Sequence, residues 1–229
     1  MANQLDLEEQ EQLDQIKHFW KQYGNQITWL VILVLGAFAA WNGYQYWQKN
    51  QALQASAMFD EVSRVARSND PEKTERAFND MKERYGSTTF TYQAGLLAAK
   101  SLFESGKPDN ARAVLTWVAR QSDDAGYAAI AQLRLSAVLM ESKSYDEAIK
   151  ALYAVTEPSF VPLAADRRGD IFLAQGKKTE AKEQYLKAYA GFEDGTQYRQ
   201  LVEVKLNALG VNPTVDTLSA SSAKSEVAK

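Results

Sequence analysis

The stretch that most restricts how this chain can fold is Ile27 to Trp47, ITWLVILVLGAFAAWNGYQYW. No Asp, Glu, Lys or Arg lies between Lys21 and Lys49, and from Ile27 to Trp41 the one polar side chain is Thr28. Its hydroxyl can bond back to its own helix. A helix crosses the hydrocarbon core of a bilayer with about 20 predominantly apolar residues, and Ile27, Leu33 and Leu35 belong to such a body. Trp29 stands at one end and Trp41, Tyr44, Tyr46 and Trp47 crowd the other, where amphipathic rings favour the headgroup layer. A core helix of a water-soluble protein is the competing reading, but it leaves that aromatic crowding without a cause. Ala37-Phe38-Ala39 also offers the A-x-A pattern of a cleavable signal peptide. The region ahead of it is long and acidic, whereas a signal peptide begins short and basic. The expectation is an uncleaved transmembrane anchor over residues 25–48.

The charge of the chain is unevenly placed. Residues 1–21 hold Asp6, Glu8, Glu9, Glu11 and Asp14 against Lys17 and Lys21, so the whole net charge of −3 resides there. The remainder is balanced, with no electrostatic footprint for nucleic acid. Lys17 and Lys21 lie just before the anchor, while Lys49 is followed by nothing basic until Arg64. The bias of positive residues to the cytoplasmic side then puts a short acidic tail, residues 1–24, in the cytoplasm. Within residues 4–23 the apolar positions Leu5, Leu13, Ile16, Phe19, Trp20 and Tyr23 follow helical spacing from Leu13 onward. Two readings stay open there: an amphipathic helix on the inner leaflet, or a solvated extension of the anchor helix. His18 lies in the same segment, with no partner cluster.

Beyond the anchor the chain is helical and repetitive. Leu53, Met58, Phe59, Val62 and Val65 recur at three- and four-residue spacing. Asn69-Asp70-Pro71 reads as a stop, an N-cap and a proline at the first helical position, opening a helix to Tyr85. Three later segments then align without gaps on Ala111, Ala148 and Ala181. Twelve places upstream are the small residues Ala99, Ser136 and Gly169; nine places upstream are Leu102, Leu139 and Phe172. Four places downstream are Leu115, Leu152 and Tyr185, and Gly106, Lys143 or Gly176 marks a turn within each unit. A small residue on one helix lets the next cross closely, and large residues fill the flanks. Such hairpins cannot bury their apolar faces alone, so neighbours must stack.

This spacing resembles the tetratricopeptide repeat in degenerate form, with Gly95, Gln132 and Ala165 where the repeat usually begins with tryptophan. The expected fold is all-α: the single anchor, then a tetratricopeptide-like α-solenoid of about four degenerate hairpins over residues 49–210. A capping helix within residues 194–209 ends at Gly210. The tail 211–229, rich in Ser, Ala and Lys, is expected to be disordered.

No catalytic constellation is visible. One His and no Cys exclude histidine triads, cysteine nucleophiles, disulfides and most zinc sites. No phosphate loop or dinucleotide fingerprint is present. Asp123-Asp124 and Asp146-Glu147 sit at expected helix starts, where carboxylates stabilise the first turn. The reading is a non-enzymatic protein without cofactor or metal, and stacked hairpins offer a concave binding groove instead. By repeat register the first helices point Gln93, Leu96, Lys100 and Phe103, then Ile130, Leu133, Ala137 and Met140, then Leu163, Asp166, Asp170 and Leu173 toward it. Lys100, Phe103, Ile130, Leu133, Met140 and Asp170 are the candidate partner-binding residues. The competing reading makes several of these ordinary inter-repeat core.

The layout as a whole is similar to the YfgM family of ancillary subunits of the bacterial Sec translocon. An acidic tail with QIKHFWKQYG, an anchor ending in WNGYQYW, degenerate repeats, and the stretch Ala165-Asp166-Arg167-Arg168-Gly169-Asp170 before a Gly-Lys turn carry the likeness. The resemblance implies an inner-membrane protein with its repeat domain in the periplasm. It further implies association with the SecYEG channel and the periplasmic chaperone PpiD, assisting exported polypeptides. A scaffold for another envelope complex is the alternative role.

Overall fold

A computed structural model describes residues 7–68 and 70–213; Leu5, Asn69 and the tail from residue 214 lie outside them. The regular elements among the described residues are all helices, and the chain divides into two compact units between Gln51 and Ala52. The first helix, α1 (Leu7–Arg67), contributes to both. Its part up to Gln51 runs without a break from Leu7 through the apolar stretch, so the segment before the anchor is the same helix as the anchor. Thr28 donates to the Gly24 carbonyl at 2.8 Å, and Asn42 donates to that of Phe38 at 2.9 Å. Both polar groups are thus satisfied within the helix. From Trp29 to Trp41 the surface is hydrocarbon and aromatic: Trp29 is 66% exposed, Leu33 69% and Trp41 62%, Leu35 is also exposed, and Tyr44 and Trp47 lie exposed beyond. At about 1.5 Å per residue, Ile27–Trp47 reaches ~30 Å, the thickness of a bilayer core. A core helix would be covered by its own protein. Among the described residues this helix alone is long and apolar enough to cross a membrane, and its span is unburied.

The second unit begins with the end of α1 and continues through α2 (Pro71–Tyr85), α3 (Thr89–Glu104), α4 (Pro108–Gln121), α5 (Ala125–Glu141), α6 (Tyr145–Tyr153), α7 (Val161–Ala174), α8 (Lys178–Gly191) and α9 (Gln197–Ala208). Local chemistry sets their starts. Asp70 accepts from the Lys73 N–H at 3.0 Å with Pro71 in the first turn, and Asp124 accepts from the Gly126 and Tyr127 N–H groups at 2.8 and 3.2 Å. Each cap supplies an acceptor for amide groups that a helix start leaves unpaired.

The turns inside the hairpins are copies of one another. Gly106, Lys143 and Gly176 all adopt positive φ (74°, 59° and 77°). After each, the next residue donates back across the turn: Lys107 to the Leu102 carbonyl, Ser144 to that of Leu139, and Lys177 to that of Phe172, at 2.8–2.9 Å. This double-bonded left-handed cap ends the first helix and starts the second at one fixed angle. Gly210 repeats it after α9, with φ 77° and Val211 donating to Leu206.

Packing then follows the register. Ala111, Ala148 and Ala181 are fully buried, as are Leu115, Leu152 and Tyr185 to within 2%. At the small positions Ala99 and Ser136 are buried, and a Cβ added at Gly169 would lie 2.4 Å from Cε1 of Tyr185. One apolar core runs from Ala55 and Val62 of α1 through α2–α7, and a smaller one joins Ala165, Tyr185, Tyr189, Val202 and Leu206 of α7–α9. Tyr85 donates to Gln54 at 2.7 Å and Ser101 to the Ala66 carbonyl at 3.1 Å, so the last turns of α1 are a structural part of this unit.

Candidate binding groove

The first helices of successive hairpins, α5 and α7, stand side by side and leave a groove of about 620 Å³ between them. Ile130, Leu133 and Met140 line it from α5, with Ala137 completing that wall. Phe160, just before α7, and Leu163 and Ile171 on α7 face them. The rim is polar. Arg134 donates to the Leu96 carbonyl at 3.0 Å, which fixes its guanidinium against α3. Arg167 reaches Asp170 at 3.4 Å and the Tyr198 hydroxyl at 3.1 Å. The groove can therefore receive an apolar segment while presenting fixed charge at its edge.

Four of the six residues singled out from the sequence meet here: Ile130, Leu133, Met140 and Asp170. The other two do not line this groove. Lys100 is exposed on α3 beside Glu104 at 3.8 Å, and Phe103 is half-buried against the main core. Of the remaining register positions, Ala137 and Leu163 line the groove. Leu96 is buried, Gln93 donates to the Tyr127 hydroxyl, and Leu173 is exposed away from the groove. Phe160, Arg134 and Arg167 line it without having been anticipated. For the arginines a signal existed: each lies nine places before its left-handed turn residue, Lys143 or Gly176.

Asp166 and Asp170 turn out to be committed elsewhere. Lys205, on α9, donates to Oδ1 of both at 2.7 Å, and the Tyr185 hydroxyl donates to Asp170 at 2.8 Å. Arg168 is buried: its Nε donates to Gln184 at 2.7 Å, its Nη1 to the Leu152 carbonyl at 3.1 Å, and its guanidinium lies 4.4 Å from the Tyr153 ring centre. The stretch Asp166-Arg167-Arg168-Gly169-Asp170 is thus the clamp that fastens α7 to α8 and α9, with Gly169 opening the space for the Tyr185 ring. Burial raises the pKa of Asp166 above its ordinary carboxylate value, against the opposing pull of Lys205. Its Oδ2 has no hydrogen-bond partner among the described residues. Burial and the bond to Asp170 likewise push the Tyr185 phenol up, and burial lowers Arg168.

Among the described residues no group of three or more His, Asp or Glu side chains is placed to hold a metal ion. Of the helix-start carboxylates, Asp124 caps α5 and Glu147 accepts from Arg112 at 2.6 Å.

Comparison with known proteins adds ancestry to geometry. A family model described as a tetratricopeptide repeat-like domain matches residues 17–211, anchor and repeats together. A Neisseria gonorrhoeae protein named ancillary SecYEG translocon subunit is 32% identical over 89% of this chain and 98% of its own length. Relatives of the same name from Haemophilus influenzae and Escherichia coli are 31% and 24% identical, again over 89% of this chain. The crystal structure of MamA aligns over 72% of this chain and 96% of its own at 19% identity, with a TM-score of 0.47. The chain belongs to the YfgM family of tetratricopeptide repeat-like proteins.

Proposed function

We propose that this protein is a single-pass inner-membrane adaptor of the bacterial Sec translocon, with residues 1–24 in the cytoplasm and the repeat domain, 49–210, in the periplasm. The observation that carries the reading is the match of anchor and repeats together to relatives named ancillary SecYEG translocon subunits. Lys17 and Lys21 ahead of the span favour the stated orientation. The anchor keeps the domain beside SecYEG. The groove between α5 and α7 takes an apolar segment, from an exported polypeptide or from the chaperone PpiD, and assists its folding or hand-over. Binding is non-covalent, with no cofactor and no turnover; the soft Met140 side chain suits a groove that accepts varied apolar shapes.

The test uses the full chain purified from membranes in mild detergent. SecYEG should co-purify, and the enrichment should vanish when residues 1–51 are exchanged for an unrelated anchor. A photocrosslinker at Met140 should capture exported chains or PpiD, while one at the exposed Lys150 should not. Recovery of a different envelope complex in place of SecYEG would make the protein a scaffold of that machine.

A further inference from the structure

We infer that the α5–α7 groove selects apolar segments that carry a carboxylate, an Asp or Glu side chain beside the inserted residues. The inference rests on the groove being a polypeptide site and names the chemistry it prefers. It comes from the charge at the rim. Arg134 and Arg167 occupy the same register on neighbouring helices, nine places before Lys143 and Gly176, and both line the groove. Each is exposed; Arg134 donates through Nη1 to the Leu96 carbonyl, and Arg167 donates through Nη2 to the Tyr198 hydroxyl and through Nη1 to Asp170. A guanidinium offers five N–H donors in a planar fork, so both retain donors for an incoming group. The one acid lining the groove, Asp170, is already shared among Arg167, Lys205 and Tyr185. Lys205 also pairs with Asp166, and buried Arg168 bonds to Gln184 and the Leu152 carbonyl, with no carboxylate partner among the described residues. The charged residues that line the groove are thus two arginines, Arg134 and Arg167, against one carboxylate, Asp170. This local positive excess stands in a domain whose charge is balanced overall. An apolar floor under two pre-oriented guanidinium forks complements a leucine-rich segment with an acidic neighbour. It repels the same segment with a lysine there.

The experiment measures binding of labelled leucine-rich peptides to the full chain in nanodiscs of neutral lipid. The peptides are identical except for one Glu, Gln or Lys. The Glu peptide should bind about fivefold more tightly than the Gln peptide, with Lys weakest, and added salt should narrow the gap. Arg134→Gln should largely erase the preference for the Glu over the Gln peptide. It is the variant of choice because Arg167 also braces α9; an unchanged thermal melt checks its fold. Arg112→Gln, at the Glu147 pair remote from the groove, should keep the preference. Equal binding of the three peptides, or a preference that survives in Arg134→Gln with Arg167→Gln, overturns the carboxylate inference and leaves the groove as a peptide site. Binding of none of the peptides overturns the peptide site itself. A gain in affinity for anionic over neutral nanodiscs, lost in Arg134→Gln, would reassign the arginines to lipid headgroups.

Discussion

At the scale of single residues, two turn and crossing positions decide how closely the hairpins fit. Gly169 sits where the Tyr185 ring fills the gap between α7 and α8, and an added methyl would meet Cε1 and Cδ1 at 2.4 and 2.5 Å. The ring cannot retreat without breaking its bond to Asp170. Gly169→Ala should therefore destabilise the repeat domain by about 1–3 kcal/mol, the usual cost of overpacking a filled core. Thermal melting by circular dichroism checks this, and an unchanged midpoint would mean that α8 can slide. Lys143 is the reverse case. It holds φ 59° at a turn where the equivalent residues are Gly106 and Gly176. A left-handed conformation costs a residue with a Cβ about 1–2 kcal/mol, and part of the relief from glycine is returned through the freer unfolded chain. Lys143→Gly should stabilise the domain by about 0.5 kcal/mol. A lower melting midpoint for this variant would show that the lysine side chain has a role the backbone does not reveal.

At the scale of elements, the clamp between α7 and α9 is where electrostatics and packing meet. Asp166 is fully buried, and burial is the largest cause of its raised pKa. A carboxyl whose folded pKa is raised binds its proton more tightly folded than unfolded. Its contribution to stability is complete below its ordinary value of 3.8 and is lost as pH rises through the folded pKa. Asp166→Asn keeps the shape without the charge. The variant should therefore gain stability relative to the parent as pH rises from below 3.8 toward neutrality. A gap in melting temperature that stays flat with pH, or closes, would show that Lys205 outweighs the burial cost. The same clamp shows what the sequence made legible. The hairpins and their register could be read because each signal is local: a small residue, a large one and a turn residue recur at fixed distances along one strand of sequence. The apolar groove residues on α5, Ile130, Leu133, Ala137 and Met140, lie at positions that register picks out. The fate of Asp166 and Asp170 did not, because their partner Lys205 lies 39 and 35 residues further on and only the docking of α9 brings it near. Phe103, at the matching register on α3, does not line the groove between α5 and α7. Like Ile130, Leu133 and Met140 it is half-buried against the main core, so periodicity alone does not say which of these residues a groove uses.

At the scale of the whole molecule, the place where the two units divide makes a sharp statement about what the repeat domain needs. The division falls between Gln51 and Ala52, inside α1 rather than at its end. The residues of α1 beyond it are core material: Ala55 and Val62 are fully buried, and Val65 and Ala66 are nearly so. They also hold Gln54, which accepts from Tyr85, and the Ala66 carbonyl, which accepts from Ser101. A chain cut at Ala52 keeps all of this and discards the exposed apolar surface of Trp29, Leu33 and Trp41. It should be soluble without detergent and melt in one cooperative transition. A chain cut at Pro71 removes Ala55 and Val62 from the core they share with Phe78 and Met81 of α2, and leaves that core open on one side. At about 1.5–3 kcal/mol for each large apolar group returned to water, the loss is of the same order as the 5–15 kcal/mol that holds a whole domain folded. The shorter chain should aggregate, or melt far below the longer one. Equal melting temperatures for the two would show that the last turns of α1 belong to the anchor alone, and that the solenoid begins at α2.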